Sequence, residues 1–171
     1  MAIYTSRYSN KKLLEDGYYP VGISVGSPKF NTGYTLREKC YALAPTGQML
    51  RLDYEPYRKQ YMEKLNRIGA DKIISIVNQL EMRALDEGKE LVLLCFEDIR
   101  NGDNWCHRTL FAEWWMEHTG EIIAELEDPS PVKPANKPVT TVPAAGNVGK
   151  KPEKVESCTL PPEEYIQMRL Y

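Results

Sequence analysis

No apolar run in this chain reaches the length of a membrane-spanning helix, so a membrane protein is not expected. Met1-Ala2-Ile3-Tyr4 is followed by Arg7, Lys11 and Lys12, without the long apolar region of a secretion signal. The chain also lacks a basic excess. Residues 1–128 carry 16 Lys and Arg against 20 Asp and Glu, a formal −4. A mildly acidic domain is a poor general binder of nucleic-acid backbone, so duplex nucleic acid is not an expected partner. The four cysteines, Cys40, Cys95, Cys106 and Cys158, show no paired spacing such as C-x2-C. The expectation is therefore no metal, no cofactor, and reduced thiols in a cytoplasmic protein. No internal repeat is present.

What is there suffices for one domain: 171 residues, 42% of them hydrophobic. Ala2-Ile3-Tyr4 reads as a short strand followed by Thr5-Ser6. Ser9 is placed to cap a helix running to Asp16 and ended by Gly17. After Tyr18-Tyr19-Pro20, Val21 to Val25 reads as a second strand, and Gly26 to Gly33 as a loop rich in breakers. Tyr34 to Ala44 reads as a short helix or an irregular segment. Tyr54, Tyr57, Tyr61, Met62, Leu65 and Ile68 have helical spacing, and Gly69 stops them. Asp71 is placed to cap a further helix ending near Gly88. Glu121 to Leu126 offers an edge strand.

The stretch from Leu91 to Trp115 organises the rest. Leu91-Val92-Leu93-Leu94-Cys95-Phe96-Glu97 is what a buried parallel strand looks like. A polar loop, Asp98 to Trp105, follows. Cys106-His107-Arg108-Thr109 then opens an apolar helix that ends at Gly120. The pattern predicts an α/β fold, a small three-layer domain over 1–127 with a mostly parallel sheet. In such sheets ligands gather at the carboxyl ends of the strands. Thr5 and Ser6, Ser24 to Lys29, Cys95 and Glu97, and Cys106 to Thr109 all fall at that end.

Several of these pieces occur together, in one order: Thr5-Ser6, Ile23-Ser24 with Pro28-Lys29-Phe30, Leu43-Ala44-Pro45, Tyr57 and Tyr61, Leu93 to Glu97, and Cys106-His107-Arg108 with Ala112-Glu113-Trp114. The chain from about Tyr4 to about Leu126 resembles the bacterial and phage family called domain of unknown function 488. The resemblance implies a compact α/β fold with its motifs at one end of the sheet. It also implies a loose association with nucleotide or modified-nucleotide metabolism.

The candidate catalytic residues are Glu97, Cys106 and His107. A thiol at a helix start beside a histidine and an arginine is activated towards thiolate chemistry; as a plain cap it would only shape the turn. His107 is a general acid or base, or a brace for its loop. Glu97 is suited to act on an anomeric carbon, or to fix Arg108 or a helix start. Cys95 reads as an inert core thiol. Arg108 is the expected grip on an anionic ligand, its alternative being an ion pair with Glu97 or Glu113. Thr109, Thr5, Ser6, Ser24 and Lys29 complete the expected ligand contacts. Tyr57 and Tyr61 stack on a base or form the core stripe of their helix. Trp114 and Trp115 read as packing, and His118 suits the negative end of its helix.

The expected function is binding of a phosphorylated small molecule, a nucleotide or ribose-phosphate derivative, with hydrolysis or glycosyl transfer. The alternatives are a non-catalytic sensor or sequestering protein for a signal nucleotide, and a DNA-linked enzyme acting on modified bases. From Asp128 to Cys158 the prolines are spread among Lys, Thr, Val, Ala and Gly, which reads as a flexible linker. Residues 159–171 regain apolar character. They read as a docking helix for a protein partner, a second copy or the chain's own domain, or as a free end.

Overall fold

The computed structural model describes residues 2–102 and 104–132; the expected linker, the docking segment and Cys158 lie outside them. Five strands form one sheet: β1 (Ile3–Arg7), β2 (Tyr18–Gly22), β3 (Glu38–Lys39), β4 (Glu90–Cys95) and β5 (Ala124–Glu125). Their order is β3-β2-β4-β1-β5, and every pairing is parallel. The fold is α/β. β4 is central because its sequence is apolar on both sides: Leu91, Leu93 and Cys95 alternate with Val92 and Leu94, and all are buried. Leu91 and Leu93 join the larger core, with Val21 and Ile23. Val92 and Leu94 join a smaller one, with Tyr8, Leu13 and Leu126.

Three helices cover the face of Leu91 and Leu93. α1 (Tyr54–Ile68) brings Tyr57, Tyr61 and Leu65; α2 (Ala70–Asp86) brings Ile73, Val77, Leu80 and Ala84. α3 (His107–Thr119) brings Leu110, Phe111, Trp114 and Trp115. A short 3-10 turn, Lys11–Leu14, and the segment around Tyr34 and Leu36 cover the opposite face.

Several elements depart from their expected bounds. Asn10, not Ser9, caps the first turn: its Oδ1 accepts from the Lys12 N–H at 2.9 Å, and only four residues are helical. β2 runs from Tyr18 to Gly22, not Val21 to Val25, because the Ser24 hydroxyl donates to the Gly26 carbonyl at 2.7 Å and turns the chain away. The segment from Tyr34 to Ala44 contains β3, a two-residue edge strand set by pairing with Val21 and Gly22. α2 begins at Ala70 on a Gly69 N-cap whose φ of 95° turns the chain between the two helices, so Asp71 lies inside the first turn. α1 keeps the bounds its periodicity gives, and α3 ends at Gly120 in the left-handed conformation, with φ of 76°.

Polar contacts fix the loops around the sheet's carboxyl end. Lys64 donates to the carbonyls of Ala42 and Ala44 at 2.6 and 2.5 Å, and Tyr61 Oη donates to that of Leu43 at 2.6 Å. These bonds dock the loop before Pro45 onto α1. Arg7 pairs with Asp98 and Asp128 at 2.8 and 2.6 Å, while Arg100 donates to the carbonyls of Asp128 and Ser130. No helix among the described residues is long and apolar enough to cross a membrane.

Candidate functional site

The end of β4 and the start of α3 meet at the floor of a cleft of about 330 Å³, a size suited to a small molecule. Cys95 closes β4. Cys106 is the N-cap of α3, in extended backbone, and His107 is its first helical residue. All three are buried, whereas Glu97, just past the strand, is exposed as a residue. The cleft walls carry Tyr57, Phe96, Trp105, Pro45, Leu50 and Leu52. Trp105 packs edge-on against Tyr57, with ring centres 4.7 Å apart.

The floor is one polar cluster. Cys95 Sγ donates to Glu97 Oε2 at 2.8 Å, and Cys106 Sγ lies 2.9 Å from the same oxygen. His107 Nδ1 lies 3.5 Å from Cys95 Sγ and 3.7 Å from Cys106 Sγ. The other ring nitrogen, Nε2, is 2.7 Å from the Ile23 carbonyl, which only accepts. Nε2 therefore carries a hydrogen, and Nδ1 faces the two sulfurs.

The electrostatics separate these groups. Burial pushes the Cys95 thiol far up, and the neighbouring Cys106 and Glu97 push the same way. Burial also opposes ionisation of Cys106, but the contacts with Cys95 and His107 and the nearby Arg108 outweigh it, and this thiol is held well below its ordinary range. The Glu97 carboxyl is pushed up, by burial first and then by the Cys106 charge. The cluster thus holds an acidic thiol beside a weakened carboxylic acid.

Arg108 is placed elsewhere. Its side chain is 1% exposed. Its Nε and Nη2 grip the two carboxylate oxygens of Glu125, both at 3.0 Å, and Nη1 donates to the Glu97 carbonyl at 2.8 Å. The internal pair weighed from the sequence exists, with Glu125 rather than Glu97 or Glu113 as partner. Among the described residues no Lys or Arg lines the cleft.

The other sequence candidates divide. Ser24 and Tyr57 line the cleft. Ser24 also stands 2.8 Å from Tyr8 Oη; since its own hydrogen goes to Gly26, Tyr8 donates to it. A Cβ at Gly22 would fall 2.5 Å from Tyr8 Oη, so that glycine leaves room for this bond. Tyr61 is fully buried beneath the floor, its ring edge-on to His107 at 5.6 Å. Thr5 donates to Glu125 at 2.8 Å, and Thr109 to the Cys106 carbonyl at 2.7 Å. Both line a separate depression. Ser6 accepts from Asn10 at 2.9 Å and is buried. Lys29 is exposed and outside the cleft lining.

Sequence reasoning missed Phe96 and Trp105 as cleft walls, Cys95 as a member of the cluster, and Glu125. It also missed Lys39, whose ammonium reaches the carbonyl of Val25, a cleft residue, at 3.2 Å. The aromatic character of Phe96 and Trp105, flanking the loop between Glu97 and Cys106, was the one available signal. Comparisons with family models, curated proteins and solved structures gave no match.

Proposed function

We propose that this cleft binds the nucleoside part of a nucleotide-like small molecule and that Glu97, Cys106 and His107 act on it in a hydrolytic or glycosyl-transfer reaction. One observation carries the reading: the Glu97 carboxyl, the Cys106 thiol and the His107 imidazole meet within 4.8 Å of one another on the floor of an aromatic-walled cleft. Such groups divide proton donation from electron donation. Glu97 gives its proton to the departing group, and the Cys106–His107 side faces the electrophilic carbon. Trp105, half-buried in the cleft wall and braced by Tyr57, gives a flat heterocycle a surface to lie against.

The phosphate does not go to Arg108, which Glu125 already holds. Lys39, whose ammonium bonds the carbonyl of the cleft residue Val25, is the cation we assign to an anionic substituent. The fold is shared by many activities, so the cluster rather than the sheet carries the reading.

The test is incubation of the purified chain with NAD, ADP-ribose, linear and cyclic nucleotides and nucleosides, followed by mass spectrometry of complex and products. Products that vanish with Glu97→Gln or Cys106→Ser support an enzyme. A complex without product reassigns the cleft to a sensor or sequestering protein. With neither complex nor product, the nucleotide reading fails.

A further inference from the structure

The cluster contains more donors than a cysteine–histidine pair needs. One thiol beside one imidazole suffices for thiolate chemistry. Here a second thiol, Cys95, stands 3.5 Å from the same nitrogen that Cys106 approaches at 3.7 Å. A core thiol packed for volume alone has no reason to face an imidazole nitrogen and a carboxylate. Two sulfurs, one nitrogen and one oxygen lie within 4.8 Å of one another.

We propose that Cys95, Cys106 and His107 bind a zinc-class divalent cation, with Glu97 in the fourth, cleft-facing position. Mixed sulfur and nitrogen donors select zinc over the hard cations. With metal–sulfur bonds of about 2.3 Å and metal–nitrogen bonds of about 2.0 Å, a tetrahedral site has a sulfur–nitrogen edge of about 3.5 Å. Both edges from His107 Nδ1 are close to that. The Glu97 contacts, 2.8 and 2.9 Å, are hydrogen-bond lengths, and this side chain swings outward as the ion replaces the shared protons.

The outer contacts are those of a ligand set. His107 gives its Nε2 hydrogen to the Ile23 carbonyl, fixing both the tautomer and the ring plane. Ile23 is itself held by its N–H on the Leu94 carbonyl at 2.9 Å. Arg108 holds the Glu97 carbonyl and puts a positive charge behind the thiolates. The ligands come from the end of a central strand and the start of a helix, two rigid elements.

The proposal concerns the same floor but does not rest on the functional reading: with the ion bound, Cys106, His107 and Glu97 are its ligands, and the thiolate and proton-donor roles given above belong to the metal-free protein. Metal binding is read without any substrate, so the two fail separately. The full chain, reduced with a phosphine and stripped by a chelator, is titrated with Co2+ and then Zn2+. The expected result is one Co2+ per chain, with strong tetrahedral visible bands and thiolate-to-cobalt charge transfer, bleached by Zn2+. Cys95→Ser and Cys106→Ser each weaken binding at least about tenfold. Cys40→Ser and Cys158→Ser leave it unchanged, and Glu97→Gln keeps the charge-transfer band.

A reduced wild-type chain that gives no thiolate–cobalt band overturns the site. So does a band that survives the Cys95→Ser/Cys106→Ser double variant. Should the serine variants fail to fold, alkylation of the wild-type chain decides: zinc must protect Cys95 and Cys106 and leave the modification of Cys40 unchanged. Equal alkylation of Cys95 and Cys106 with and without zinc overturns the proposal.

Discussion

Cys106-His107 and Arg108 are consecutive, yet they belong to two different regions. The first two turn into the cleft floor with Cys95 and Glu97. Arg108 turns the other way, to a bidentate grip on Glu125 in the edge strand. The same division recurs at Glu97 and Asp98. Burial and the Cys106 charge push the Glu97 carboxyl up. Hydrogen bonds from Arg100 bring the Asp98 carboxyl down to about 2. One side of the junction keeps charge-poor, reactive groups together; the other side satisfies its charges in pairs. Adjacent residues on a helix start point in different directions, so neighbours in sequence serve chemistry and stability separately.

Five predictions test this division, the larger effects first. Glu97→Gln should lower turnover of any identified substrate about 100-fold or more, with the thermal midpoint little changed; kinetics alongside melting checks it. A parallel fall in both would merge the two regions into one. On the pairing side, Glu125→Ala should destabilise the fold by about 3 kcal/mol, because it strands a buried guanidinium. Arg108→Met combined with Glu125→Gln should lose less than the two single changes added together, and urea unfolding of the full cycle measures that coupling.

Within the cleft, Trp105→Ala should weaken ligand binding by about 1 kcal/mol, several-fold in Kd, while leaving the Glu125 side untouched. Calorimetric titration checks this. The smallest effect is in acid. The Asp98 value in the folded protein lies below the unfolded value of about 3.9. Its stabilisation is complete above that pH and is lost as the pH falls towards about 2. Urea midpoints measured through that window should fall for the wild type and fall less for Asp98→Asn; parallel curves would remove the Arg7–Asp98–Arg100 network from the account.

The sheet's centre, α1 and the terminus of α3 were legible because each depends on local pattern. β4 is a continuous apolar run, α1 a 3.6-residue stripe, and Gly120 a left-handed stop. Placing the site at the carboxyl ends of the strands followed from the order of elements. β2, β3 and the 3-10 turn were less legible. Their bounds depend on pairing partners and on side-chain bonds such as Ser24 to Gly26, which local propensity does not contain.

Local pattern was enough for a parallel α/β core and for bringing Cys95, Glu97, Cys106 and His107 to one end of the sheet. How those residues divide depends on packing between distant elements. Glu125 reaches Arg108 through an edge strand, and the His107 ring is held by the Ile23 carbonyl just past β2. Cys95 shares the strand face of Leu91 and Leu93, and it joins the cluster because the start of α3 sets Cys106 and His107 against the end of β4. Those outcomes depend on distances between elements far apart in the chain, and hydrogen bonds and ion pairs are decided over a few ångströms.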